Sequence, residues 1–297
     1  MNPITVLPIS DATQRLREDA LSGHVRLVDY TVIGDDEVAA FFDAFGQWGK
    51  RVKRLSLMWH LSDAQAEMFA RTVVRLFNDD DEKPELYGLA ILNVESVSGA
   101  AALARHAFPL LLEFDLELDY LKDDLFSALF VLDDGSPSLA QCELLHICTD
   151  SISMASVRAF ADMLPRMQRM HTLDLNGVPI KNEGIAAIAT AIANYRELPA
   201  VLALRALIGW EAFDLLGTFI GGVPTLRNLH VAPCGISEGG LPAIERALSW
   251  SATPLLEILV DGPETGIFER FEKAMKSEAR AQRALEVRGC AKLKDGD

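Results

Sequence analysis

Apolar residues along this chain recur with two alternating periods. Short stretches in which every second residue is apolar give way to longer ones in which apolar residues return after three and four positions. The first pattern predicts strands with one dry and one wet face, the second amphipathic helices of about three turns. "EFDLELD" (113–119) is a strand pattern, with Phe114, Leu116 and Leu118 on one side and Glu113, Asp115, Glu117 and Asp119 on the other. "NEGIAAIATAIAN" (182–194) is a helix pattern, with Ile185, Ile188, Ala189 and Ile192 on one stripe. "SMASVRAFADML" (153–164), "EGGLPAIERALSW" (238–250) and "GIFERFEKAMKS" (266–277) repeat that stripe. Ser153, Asn182, Ser237 and Thr265 stand where N-caps belong, and Gly or Pro marks the return to the next strand in "GGVPTL" and "SATPLL".

The strand-then-helix unit repeats. "CELLHICTDSI" (142–152), "MHTLDLNGVPI" (170–180) and "LRNLHVAPCGI" (226–236) share one spacing of apolar positions, and "LLEILVDGPET" (255–265) keeps its first three. Taking the second apolar position as marker gives Leu145, Leu173, Val201, Leu229 and Ile258, spaced 28, 28, 28 and 29 residues apart. Looser matching extends the series back through Phe114, Leu89, Leu55 and Val25, for about nine units. Residues 1–24 then read as an N-terminal cap, 25–276 as repeats and 277–297 as a C-terminal cap helix with a polar tail, all in one domain. "ITVLPI" in the first of these segments serves as edge cover.

These units resemble the leucine-rich repeat family, specifically the long helical type of ribonuclease inhibitor, whose unit carries Leu-x-x-Leu-x-Leu-x-x-(Asn/Cys)-x-Leu. Cys234 takes the Asn/Cys slot in 226–236 and Asp150 takes it in 142–152, whereas Val178 occupies it in 170–180. The resemblance covers about half of the chain, and the units before residue 110 fit by length and element order alone. It implies an α/β solenoid, a horseshoe with a parallel sheet on the concave face and helices on the convex face. It also implies that Cys234 and Asp150 sit inside the turn beneath each strand, as structural residues like Leu145, Leu173 and Leu229.

A closed barrel of eight strands and eight helices has the same element order, and an enzyme with acids at its strand ends is the alternative that it carries. Barrel strands are covered on both faces and read as continuous apolar runs, whereas these alternate. A closed barrel would force the carboxylates of 113–119 into a packed centre, at a cost of kilocalories each. An open sheet leaves them in water.

On an open sheet the residue between the two buried positions faces outward, giving the row Arg26, Ser56, Ala90, Asp115, His146, Asp174, Leu202, His230 and Leu259. The row before it begins His24, Arg54, Gly88 and Glu113; the row after it includes Met58, Leu92, Glu117, Cys148 and Asn176. "VLALRALI" permits a second register in which Leu202 and Leu204 are buried and Val201, Ala203 and Arg205 face out. Basic residues gather in the first two units, acids in the fourth to sixth. The binding face expected from this arrangement comprises Glu113, Asp115, Glu117, His146, Asp174, Asn176 and His230. His146, Cys148 and Asp174 imitate a metal or Cys-His-Asp set, but a flat sheet face does not make three ligands converge, and no metal or cofactor is expected.

Lys+Arg number 28 against 43 Asp+Glu, a formal net charge of -15, which argues against phosphate backbones and anionic membranes as partners. The four cysteines show neither C-x-x-C nor zinc spacing, and no basic start or long apolar stretch opens the chain. A cytoplasmic protein with reduced thiols is therefore expected, although secretion by a specialised route leaves no such signature. "NDDDEKPE" (78–85) lacks the glycine and terminal Glu of a calcium loop and reads as a solvated connection. With no phosphate loop, nucleophile elbow or H-E-x-x-H, the expected function is a non-enzymatic scaffold, adaptor or inhibitor that binds a basic protein. A secreted effector or substrate-recognition adaptor is the further alternative.

Overall fold

The structure is a computed structural model that describes residues 4–18, 20–28, 34–78, 84–94, 96–118, 121–170, 172–175, 178–193, 201–208, 228–233, 255–261 and 285–290, with side chains placed as far as residue 191. The chain divides into two compact units, Met1–Thr149 and Asp150–Asp297. Both are α/β, and every described strand pairing between named strands is parallel.

In the first unit strand and helix alternate without exception: β1 (Ile4–Leu7), α1 (Ile9–Arg17), β2 (Gly23–Leu27), α2 (Asp35–Trp48), β3 (Val52–Leu61), α3 (Asp63–Phe77), β4 (Gly88–Val94), α4 (Val97–His106), β5 (Glu113–Leu118), α5 (Asp123–Phe130) and β6 (Leu144–Thr149). The strands lie in chain order, each hydrogen-bonded to the next. Each helix packs on its sequence neighbour, so α1 to α5 form one layer. Crossovers of one hand place that layer on a single face of the sheet.

Burial follows the period-two pattern. In β5, Phe114, Leu116 and Leu118 are buried, Glu113 and Asp115 half-buried and Glu117 exposed. In β3, Leu55, Leu57, Trp59 and Leu61 are buried while Arg54, Ser56 and Met58 are half-buried and His60 is exposed. The dry face meets the helices. Phe42 and Phe45 of α2 pack against Phe69 of α3, with ring centroids 5.2 Å apart for Phe42 and Phe69, Phe41 packs on Phe42 and Phe45, and Phe108 packs on Phe114 at 4.3 Å. Each fully buried aromatic of this kind contributes about 1.5–3 kcal/mol. In β3, β5 and β6 the second face is thus half-buried to exposed where a closed barrel would pack it, and β1 has a described strand partner on one side alone.

The second unit holds α6 (Met154–Met163), β7 (Thr172–Asp174), α7 (Asn182–Ala193), β8 (Val201–Ile208), β9 (Asn228–Pro233), β10 (Leu255–Asp261) and β11 (Leu285–Cys290), with β7 to β11 paired in chain order. The helix α6 packs on α7 across Gly184, where a Cβ would meet Val157 Cγ1 and Ile180 Cγ2 at 2.7 Å.

Strand register places Val25, Leu55, Leu89, Phe114 and Leu145 side by side in the first unit. In the second, Leu173 pairs with Leu202 and Leu202 with Leu229, the alternative register in which the bulkier residues of "VLALRALI" fall on the leucine row. Leu229 pairs with Leu256, so the repeat marker of that strand lies two residues before Ile258, and Glu257 rather than Leu259 neighbours His230. Within the C-terminal segment expected to hold a cap helix, the described residues 285–290 form β11, paired to β10. "LEVRGC" alternates with period two around Val287, which suits an added strand better than a helix.

Candidate functional site: the open face of the first unit

Side chains on the uncovered face of β2 to β6 form an ordered polar network. Arg54 on β3 reaches across β4 to β5, donating from Nη1 to Glu113 Oε2 at 3.4 Å and from Nη2 to Asp115 Oδ2 at 3.3 Å. The second Asp115 oxygen, Oδ1, lies 2.7 Å from His146 Nδ1 on β6. Asp115 and His146 are direct register partners, as are Glu113 and Leu144, and Glu117 and Cys148.

Gly88 makes that reach possible. It sits between Arg54 and Glu113 in register, and a Cβ there would stand 3.0 Å from Arg54 Cγ. The arginine stem lies over the bare backbone of β4, because any larger residue would occupy its path. All three charged groups remain half-buried, at 27% to 30% side-chain exposure, so the pairing is screened by water and orders the surface more than it stabilises the fold. On the β2 side, His24 Nε2 is 3.0 Å from the Tyr87 hydroxyl, with the two rings edge to face.

The sequence-expected site residues divide accordingly. Glu113, Asp115 and His146 are brought together, but with Arg54, so two of the expected bare acids are already paired. Glu117 is exposed and has no hydrogen bond or ion pair among the described residues. Asp174 lies in the second unit, half-buried at the end of β7. His230 and Leu229 belong to β9, whose backbone alone is described, while Asn176, Cys234 and most of the "NDDDEKPE" loop lie outside the described residues. Leu145 and Leu173 are buried at 0% and 2% exposure.

Asp150 departs from its expected place. It is exposed, and the buried polar residue there is Thr149, 1% exposed. Strand β6 continues its alternation through Leu145, Ile147 and Thr149, so the inward position falls one residue before the Asn/Cys slot and Asp150 turns to water. Arg54 and Gly88 were not among the expected site residues. Their signal was a basic residue, a glycine and an acid in one cross-strand row.

Among the described residues no three His, Cys, Asp or Glu side chains come together to hold a metal. Cys148 is half-buried, and Cys142 lies fully buried behind the face, its Sγ 3.0 Å from the Leu144 carbonyl. Burial pushes the Cys142 thiol up to about 12, which keeps it protonated and unreactive. Among the described residues no helix is long and apolar enough to cross a membrane. Compared with known proteins, the chain matches no family model and no curated protein.

Proposed function

We propose that the chain is a leucine-rich-repeat solenoid of the ribonuclease-inhibitor-like type and acts as a non-enzymatic module that binds another protein on the open face of its sheet. One observation carries the reading: the parallel strands β2 to β6 are covered on a single face, and the other face holds fixed polar side chains rather than a second layer. Such a face offers a broad, rigid surface without a deep cavity, which suits a protein better than a small molecule. The net charge of -15 steers a basic partner toward the molecule, and Glu117 gives that partner an uncompensated acid on the face. Cytoplasmic residence and the absence of cofactors belong to the same reading.

The test is affinity capture of a partner followed by charge reversal. Asp115→Lys and Glu117→Lys should each weaken the captured complex by about tenfold or more at low salt, and added salt should weaken the wild-type complex. Arg71→Glu on the exposed side of α3, where the described partner of Arg71 is Glu67, is the control and should leave affinity unchanged. Equal binding by all three variants would sink the proposal.

A further inference from the structure

Charge on the open face of the first unit is polarised, and the polarity selects the partner. Pairing of Arg54 with Glu113 and Asp115, and of Asp115 with His146, gives every charge in the middle of the face a partner. Among the described residues of this unit's strands, two exposed charges on the face have no described partner: Arg26 on β2 and Glu117 on β5. Arg26 is in register with Ser56, Ala90 and Asp115, and Glu117 stands two residues beyond Asp115. Three strand spacings across and two residues along separate the two charges by about 16 Å. Between them lies a floor of Ser56, Met58, Ala90 and Leu92, small or apolar and free of net charge.

The secondary structure of the occupant follows from the hydrogen bonds of the sheet. Backbone groups of interior strands are consumed by their neighbours, so this face offers side chains only. A segment buried on it must satisfy its own backbone, which a helix does and an extended peptide does not. Two helical residues eleven apart are about 16.5 Å from each other and share one face, since eleven residues complete three turns.

We propose that the partner presents an amphipathic helix carrying a carboxylate over Arg26 and, eleven residues later, a cation over Glu117, with small or apolar residues between. An acid toward the N-terminal end and a base toward the C-terminal end also agree with the helix dipole, which sets the direction from β2 to β5. The inference rests on the open face being the binding face, and adds the partner's secondary structure, charge order and spacing.

The probe is a library of 20-residue helical peptides, randomised along one stripe and displayed on phage, selected against the full chain. Selected peptides should carry Asp or Glu eleven positions before Lys or Arg. Arg26→Glu and Glu117→Arg should each weaken such a peptide by about tenfold, and the double reversal should bind a peptide of opposite charge order within about threefold of the original affinity. Selection of peptides with bases alone, or indifference to Arg26→Glu, would overturn the helix inference while leaving the binding face in place. Selected peptides insensitive both to the reversals and to bulk placed on the floor, by Ser56→Trp or Leu92→Lys with unchanged melting profiles, would overturn both, as would failure to select any binder.

Discussion

A single missing side chain organises the open face. Gly88 has no Cβ, the Arg54 stem passes 3.0 Å from where a Cβ would stand, and the guanidinium arrives between two carboxylates a strand further on. Gly88→Val should therefore displace Arg54 without disturbing the strand, because the blocking atom meets a flexible side chain on the wet face. In a double-mutant cycle with Arg54→Ala and Asp115→Ala, read by urea unfolding, the coupling energy should be about 0.5–1 kcal/mol in the wild-type background and fall to within error in the Gly88→Val background. Coupling that survives the valine would show that Arg54 reaches Asp115 by another path. The row His24, Arg54, Gly88, Glu113 was legible in the sequence as neighbours, but the pairing across it was not. Alternation tells which residues share a face, whereas how far a long side chain leans depends on the size of what lies beside it.

Between elements, the helix starts are tied to one another. Ser62 caps α3 in a reciprocal box with Gln65, whose buried amide also accepts from Trp59 Nε1 at 3.2 Å and donates to Asp35 at the start of α2 at 2.8 Å. Asp63, the first residue of α3, accepts from the hydroxyls of Ser96 and Ser98 at the start of α4, the second at 2.7 Å. Gly99 lets the two helix starts approach, since a Cβ there would touch Ala66 Cβ at 3.0 Å. The hydrogen bonds from Ser96, then from Ser98, hold the Asp63 carboxyl below its ordinary value, against a smaller opposing effect of desolvation. A depressed folded-state pKa stabilises the fold above the unfolded value and loses that contribution as pH falls through the folded one. Asp63→Asn should thus lower the urea midpoint at pH 7 and lower it progressively less below about pH 4, near the ordinary carboxylate range. A midpoint difference that stays constant from pH 7 to pH 2.5 would remove the titration from the account. The caps were legible at Ser153, where the spacing placed one and its Oγ accepts from Ser156 N at 3.0 Å. The ties from one helix to the next were not legible, because they join residues about 30 positions apart whose meeting depends on strand register.

Across the molecule, local regularity and compactness are unevenly distributed. The repeat spacing is most regular after residue 140, yet the first unit, whose repeats are degenerate in sequence, alternates strand and helix five times and closes a continuous core. Spacings of 30, 34, 25 and 31 between its row residues Val25, Leu55, Leu89, Phe114 and Leu145 hide the repeat from a fixed period, because strand, helix and loop lengths vary while these five positions stay paired. The core of that unit is drawn from its own elements: the phenylalanines of α2 and α3, the strand leucines, and Phe126 and Phe130 of α5. Compactness of the unit by itself follows, and residues 1–149 expressed alone should unfold in one cooperative transition monitored by far-ultraviolet circular dichroism and tryptophan fluorescence. Trp59 is 9% exposed and bonded to Gln65, whereas Trp48 is 40% exposed, so the fluorescence change reports mainly the packing around β3 and α3. Phe69→Ala in that fragment should cost about 3–5 kcal/mol, since the fully buried ring packs against two buried aromatics of α2. Non-coincident transitions for the two signals, or a loss below about 1 kcal/mol for that substitution, would mean that the first unit does not hold its core unaided.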